Sequence, residues 1–130
     1  MVRKTSIAFL ATAAWLLAAA PLGAHHSIAA EFDENKPITF TGTIKTIEWM
    51  NPHIYTHVEV KQDDGSVLVY RVEGSPPNTL YRRGWRKDTL KAGDVVTVSG
   101  IRAKIPTSMN IGQATIKTES GLEIFAGTNR

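Results

Sequence analysis

The stretch GSPPNTLYRRGW, residues 74–85, interrupts an otherwise strand-rich pattern and decides between two β folds. Its two adjacent prolines suit the first turn of a helix, with Ser75 as the predicted N-cap, and Gly84 suits the helix end. The stretch therefore predicts one short helix over residues 77–83, placed between a third and a fourth strand.

Segments with the period-two alternation of β-strands lie on both sides of this predicted helix. They cover residues 38–49, 54–61, 67–73, 90–103 and 113–127, the fourth beginning with a turn and the last being one strand or a hairpin around Ser120 and Gly121. The alternation shifts by one at Ile47, which predicts a β-bulge. QDDGS, residues 62–66, predicts a hairpin turn.

This order of elements predicts a mostly β fold, a small OB-like five-stranded β-barrel with one short helix between strands 3 and 4. An immunoglobulin-like sandwich is the alternative, but it needs roughly seven strands and no helix in the middle. The barrel is expected to form a single domain over residues 25–130.

The N-terminal segment has the layout of a secretory signal peptide. Arg3 and Lys4 precede an apolar run over residues 7–22, and Gly23 and Ala24 provide a small-residue exit. The run is short for a membrane-spanning helix, so no transmembrane anchor is expected after processing. We predict a signal peptide over residues 1–24, cleavage after Ala24, and a periplasmic or secreted mature chain that begins at His25.

Charge and cysteine content exclude several function classes. The chain has 15 basic and 12 acidic residues, and loss of Arg3 and Lys4 with the signal leaves a mature charge of only +1. Such a balance gives no reason to expect nucleic acid as a partner. The chain has no cysteine, which excludes disulfides, thiolate metal sites and a cysteine nucleophile.

Four motifs together resemble a known family. They are HHSIAAEFD (25–33), EWMNPH (48–53), VEGSPPNTLYRRGW (72–85) and LKAGDVVTVSG (90–100). The set is similar to that of small exported bacterial proteins catalogued only as a domain of unknown function, over nearly all of residues 25–127. Met50 departs from the pattern, which more often has a small polar residue there. The resemblance implies location and fold class, and it carries no known activity.

The two adjacent histidines at the predicted cleavage site suggest a metal site. A mature chain that begins at His25 offers one ion both its terminal amine and its ring Nδ1, and His53 would add a third nitrogen. Copper(II) prefers such flat, nitrogen-rich sites. His26 would assist, so copper or another divalent metal is the expected ion.

His53 is preferred to His57 as the distant ligand. In a continuous strand the two residues would lie about 13 Å apart, at roughly 3.3 Å per residue, which is too far for one ion. His53 follows Asn51-Pro52 in a rigid turn. The alternative is that His25 and His26 form a solvent-exposed start and that His53 hydrogen-bonds only its own turn.

A second candidate site lies at residues 80–87. Tyr81 and Trp85 alternate with basic residues, so Tyr81, Arg82, Arg83 and Trp85 could hold an anionic or sugar ligand. The simpler interpretation is that Leu80 and Trp85 pack the helix against the barrel and that the basic residues are solvated. We favour the simpler interpretation.

Three functions follow, in order of support. The first is an exported metal-binding protein, and the second is an OB-type binding module for a protein or glycan partner with no metal. The third, a metal-dependent enzyme, is the weakest, because no pair of carboxylates has a convincing spacing for acid and base roles and the sequence has no nucleophile elbow or phosphate loop.

Overall fold

The computed structural model describes residues 26–125, which form a mostly β structure with two short helices. The elements in chain order are helix α1 (His26–Glu31), strands β1 (Phe32–Glu48), β2 (Tyr55–Lys61) and β3 (Val67–Glu73), helix α2 (Pro77–Arg82), and strands β4 (Val95–Ala103), β5 (Asn110–Thr118) and β6 (Glu123–Phe125). The predicted mostly β class, with a helix between the third and fourth strands, is confirmed. Within the described residues neither helix is long and apolar enough to cross a membrane.

The long strand β1 pairs with β2 along one edge and with β4 along the other. The strand order is β3-β2-β1-β4-β5-β6, and all neighbours in this order are antiparallel. Thr43 of β1 pairs with both Glu59 of β2 and Val95 of β4, so β1 serves both neighbours. A short parallel pairing of β3 with β5, which includes Val72 opposite Ile111, closes a circuit through five strands.

Two local features shape the pairing of β1 with β2, namely a β-bulge and a glycine. The register between β1 and β2 shifts between Ile44 and Thr46, which confirms the bulge that the alternation predicted close to this point. At Gly42 an added Cβ would lie 2.4 Å from the carbonyl oxygen of Glu59. Only glycine allows the two backbones to approach this closely.

The core consists of the side chains that alternate inward along the strands. Its fully buried members come from every strand from β1 to β5, and they are Ile44, Val58, Val72, Val96, Val98, Ile111 and Ile116. Each such side chain contributes roughly 1.5–3 kcal/mol relative to an exposed one. Leu80 of α2 is also buried, and the helix thus covers one part of the sheet.

Some predicted details at the element ends are wrong. The N-cap of α2 is Pro76 rather than Ser75, and no side chain caps this helix, because the chain enters it in an extended conformation through two prolines. β1 begins at Phe32, well before the predicted start at residue 38. The chain after residue 113 forms a hairpin around Ser120 and Gly121, one of the two predicted outcomes, and Gly121 has φ +85°.

Three sequence predictions concern residues that the structure does not describe. The signal peptide over residues 1–24 and the mature terminus at His25 both lie outside residues 26–125. For His26, only its backbone position as the first residue of α1 is described.

Candidate metal centre

His53 lies in the turn that leads into β2, two residues before the strand begins. It follows a cis peptide bond between Asn51 and Pro52 and precedes Ile54, which is buried. The amide of Gly74 donates to the carbonyl oxygen of Ile54 at 2.7 Å. This hydrogen bond joins the entry to β2 with the exit from β3 and brings His53 beside Glu73 and Gly74.

The ring of His53 has one nitrogen engaged in hydrogen bonds. Nδ1 lies 3.1 Å from the carbonyl oxygen of Gly74 and 3.3 Å from Oε1 of Glu73. Because a carbonyl oxygen can only accept, Nδ1 carries the proton. In the neutral imidazole the lone pair is therefore on Nε2, the nitrogen that is available to a metal.

Glu73 is half-buried beside His53. Burial raises the pKa of its carboxyl above the usual value, and the charge of Glu31 adds to the rise, whereas His53 and Arg71 oppose it. Glu31 is held in place by Asn110, whose Nδ2 donates to it at 2.7 Å. Glu73 thus contacts the ring of His53 directly, and Glu31 acts on Glu73 through its charge.

Helix α1 lies beside His53. Ile28 of this helix and His53 line the same small cavity, together with Phe32, Glu73 and Gln113. This shared cavity places Ile28 of α1 beside His53.

The C-terminal end of α1 is fixed by Lys104. The Lys104 amide donates to the carbonyl oxygen of Glu31 at 2.8 Å, and its Nζ donates to the carbonyl oxygen of Ala29. These bonds satisfy carbonyl groups that a helix end leaves without partners. The helix is therefore tied to the segment that follows β4.

His57 belongs to a different group of side chains. Its Nε2 lies 2.7 Å from Oε1 of Glu48, and the other carboxylate oxygen of Glu48 is 3.7 Å from Arg71. Arg71 in turn stacks on the Tyr55 ring, 3.4 Å from its centroid. His53 and His57 therefore have separate carboxylate partners, Glu73 and Glu48.

The described residues do not complete a metal site by themselves. Among residues 26–125 no group of three or more His, Asp or Glu side chains is arranged to hold an ion. Of the predicted ligands, His25 and the His26 side chain lie outside what the structure describes.

The second candidate site is divided between the core and the surface. Trp85 packs against the core and lines a cavity of about 20 Å³ with Trp49 and Leu80. Tyr81, in contrast, is 41% exposed. Its ring meets that of Trp49 edge-on at 5.5 Å. Arg82 and Arg83 are exposed as well. This placement agrees with the simpler interpretation, a helix packed through Leu80 and Trp85 with solvated basic residues.

Sequence reasoning missed α1 and Glu73 as neighbours of His53, and Glu31 as a carboxylate that acts on Glu73. The EGSPPN segment carried a signal for Glu73, because it places a carboxylate at the end of a predicted strand. No sequence pattern connected that strand end to the NPH turn. Their proximity depends on the β2–β3 register, in which Tyr55 pairs with Glu73.

The structure is that of a small, mostly β protein. At one end of its sheet, the ring of His53 is held by a hydrogen bond to the backbone carbonyl group of Gly74. The chain belongs to a family of unknown function (DUF6152), whose model matches residues 13–111. The predicted membership of a family without a known activity is confirmed. Neither the curated proteins nor the solved structures contain a match to this chain.

Proposed function

We propose that this protein is an exported metal-binding protein that holds copper, or another divalent metal, between its mature N-terminus and His53. The ligands are the terminal amine and Nδ1 of His25, together with Nε2 of His53, and His26 assists. The observation that carries the proposal is the hydrogen bond from Nδ1 of His53 to Gly74, because metal-ligating histidines donate their other ring N–H in this way.

The position of α1 supports the contribution of the N-terminus. The helix begins one residue after His25, and Ile28 shares a cavity with His53. The amine and the imidazole both titrate near neutrality, so protons compete only modestly with the metal. Cleavage after Ala24 is part of this proposal, since only that cut gives His25 a free amine.

We also propose that the five-stranded circuit is an OB-like barrel. The pairing order, the bulge in β1 and the position of α2 between β3 and β4 support this assignment. A binding module for a protein or glycan without metal is the alternative function on the same fold.

Native mass spectrometry of the protein purified from its own compartment tests the proposed function. We expect a mass that begins at His25, with one bound copper that is lost on denaturation. A chain that begins elsewhere, or a metal-free chain that does not bind added copper, would contradict the proposal.

A further inference from the structure

A cluster of four basic side chains lies on and after helix α2, and the proposed metal site does not use it. We call it the α2 basic surface, and its members are Arg82, Arg83, Arg86 and Lys87. All four are exposed. The only acidic residue next to them in sequence is Asp88. Four positive charges within six residues contrast with a chain that is otherwise close to charge balance.

The chain that follows α2, residues 84–89, forms a turn with its own hydrogen bonds. Gly84 has φ +89° and turns the chain after the helix. Arg86 folds back, and its guanidinium donates to the carbonyl oxygen of Trp85 at 2.7 Å. The hydroxyl of Thr89 accepts from the Arg86 amide at 2.9 Å. The basic residues therefore extend from an ordered turn.

Some cations of the sheet form ion pairs with carboxylates, whereas others, such as Lys61, form none within residues 26–125. Lys45 pairs with Glu59 at 3.1 Å, and Arg71 lies 3.7 Å from Glu48. None of the ion pairs formed within residues 26–125 includes a member of the α2 basic surface. Within the described residues, no carboxylate therefore pairs with the charge of the α2 basic surface.

Two exposed apolar side chains belong to the same region, because Tyr81 directly precedes Arg82 and Met50 follows Trp49, which contacts Tyr81. Tyr81 is 41% exposed and Met50 is 52% exposed. The edge contact between Trp49 and Tyr81 places the loop after β1 beside α2, so Met50 lies at the same end of the molecule. Tyrosine and long basic side chains have an apolar body and a polar end, which suits the headgroup region of a bilayer, and exposed apolar area beside basic residues strengthens binding to an anionic membrane surface.

We infer that the α2 basic surface, with Tyr81 and Met50, attaches the mature protein to membranes that contain anionic phospholipids. A broad, exposed charged surface suits many laterally mobile headgroups better than one small anion. The cavity under α2 holds about 20 Å³ and is lined mainly by apolar side chains, with Thr56 and Lys87 but none of the arginines. Each basic residue near an anionic bilayer strengthens binding about fivefold.

Co-sedimentation of the mature chain with vesicles tests this inference. The vesicles contain either phosphatidylcholine alone or phosphatidylcholine with about one third phosphatidylglycerol, at low and at high salt. We expect binding only to the anionic vesicles, and release when salt screens the charges. Equal binding to both compositions, or no binding to the anionic vesicles, would overturn the inference.

Substitutions on the α2 basic surface and on the sheet test which of the two binds the vesicles. Arg82→Gln with Arg83→Gln should weaken vesicle binding about 25-fold, and Lys87→Gln alone about fivefold. The control, Lys45→Gln with Lys61→Gln, makes the same change in charge on exposed sites of the sheet and should leave binding within about twofold. An equal loss in the control would overturn the assignment to α2.

Two further measurements distinguish membrane binding from binding to an acidic protein and from an effect of the metal site. Capture by a soluble acidic polypeptide, without capture by anionic vesicles, would assign the surface to an acidic protein and overturn the membrane inference. His53→Ala should retain full vesicle binding, because the inference does not depend on the metal site.

Discussion

His53 donates its Nδ1 proton to the carbonyl oxygen of Gly74, 3.1 Å away, and this fixes which ring nitrogen keeps a lone pair. The acceptor is a backbone atom at the end of β3, so its position depends on the fold. The geometry leaves Nε2 of His53 for a metal, whereas Nε2 of His57 already contacts Glu48 at 2.7 Å.

The two histidines should therefore respond differently to substitution. We expect His53→Ala to weaken copper(II) binding by about 100-fold or more, because it removes a ligand, and His57→Ala to change it by less than about threefold. Isothermal titration calorimetry on mature protein measures both affinities. A larger loss from His57→Ala than from His53→Ala would exclude the proposed ligand set.

Glu73 should act by orienting His53. We expect Glu73→Gln to weaken copper binding by about 10-fold, the lower end of the range for residues that hold a metal ligand, because the bond to Gly74 remains. The same titration tests it. If Glu73→Gln costs as much as His53→Ala, Glu73 binds the metal directly and its orienting role is wrong.

The hairpin between β2 and β3 should be sensitive to acid. Hydrogen bonds from the hydroxyl and amide of Ser66, at 2.6 and 2.9 Å, lower the pKa of Asp64. A lowered pKa in the folded state stabilises the protein above the unfolded pKa, and this stabilisation is lost as the pH falls through the folded value.

Asp64→Ala should therefore lower the urea midpoint at pH 7, and the difference from the unsubstituted protein should shrink below about pH 4. Asp63→Ala, at the exposed neighbouring position, is the matched control and should change the midpoint little. A deficit for Asp64→Ala that stays constant down to pH 2 would refute the role of its charge.

Glycine should be required at residue 112, which lies against the ring of Phe32, the first residue of β1. An added Cβ there would lie 2.6 Å from the ring of Phe32, which is buried. Gly112→Ala should cost about 1–3 kcal/mol of the free energy of unfolding, the range for overpacked cores. Chemical denaturation measures it, and adding Phe32→Leu should restore part of the loss. No restoration would indicate that the backbone, not the ring, limits this position.

The strands were largely predictable from the sequence because burial on one side imposes period two. The third strand was predicted over residues 67–73, its bounds in the structure. The bulge in β1 was predictable because a one-residue shift moves every apolar side chain to the other face, and the sequence shows that shift.

The extension of β1 back to Phe32 and the helix α1 were not predictable in the same way. Residues 33–37, DENKP, are polar and have no apolar alternation, and Pro37 is disfavoured in a central strand. They belong to β1 because Phe32 pairs with Ala103 and Pro37 with Ile101, with a register shift between them. Such long-range pairing overrides local propensity.

The site was only partly predictable, because one of its residues lies in a local turn and the other is brought in by long-range strand pairing. The NPH turn marked His53, but its partner Glu73 is 20 residues away in sequence and reaches it only through the β2–β3 pairing. Spacing along one strand separated His53 from His57. It could not show that a different carboxylate contacts each of them.

Copper(II) titration of two forms of the protein tests the central claim most directly. One form begins at His25, and the other carries one additional N-terminal residue, which removes the amine of His25 from the chelate. We predict that the form beginning at His25 binds copper about 100-fold more tightly, with proton release on binding. Equal affinity of the two forms would contradict the proposed metal site.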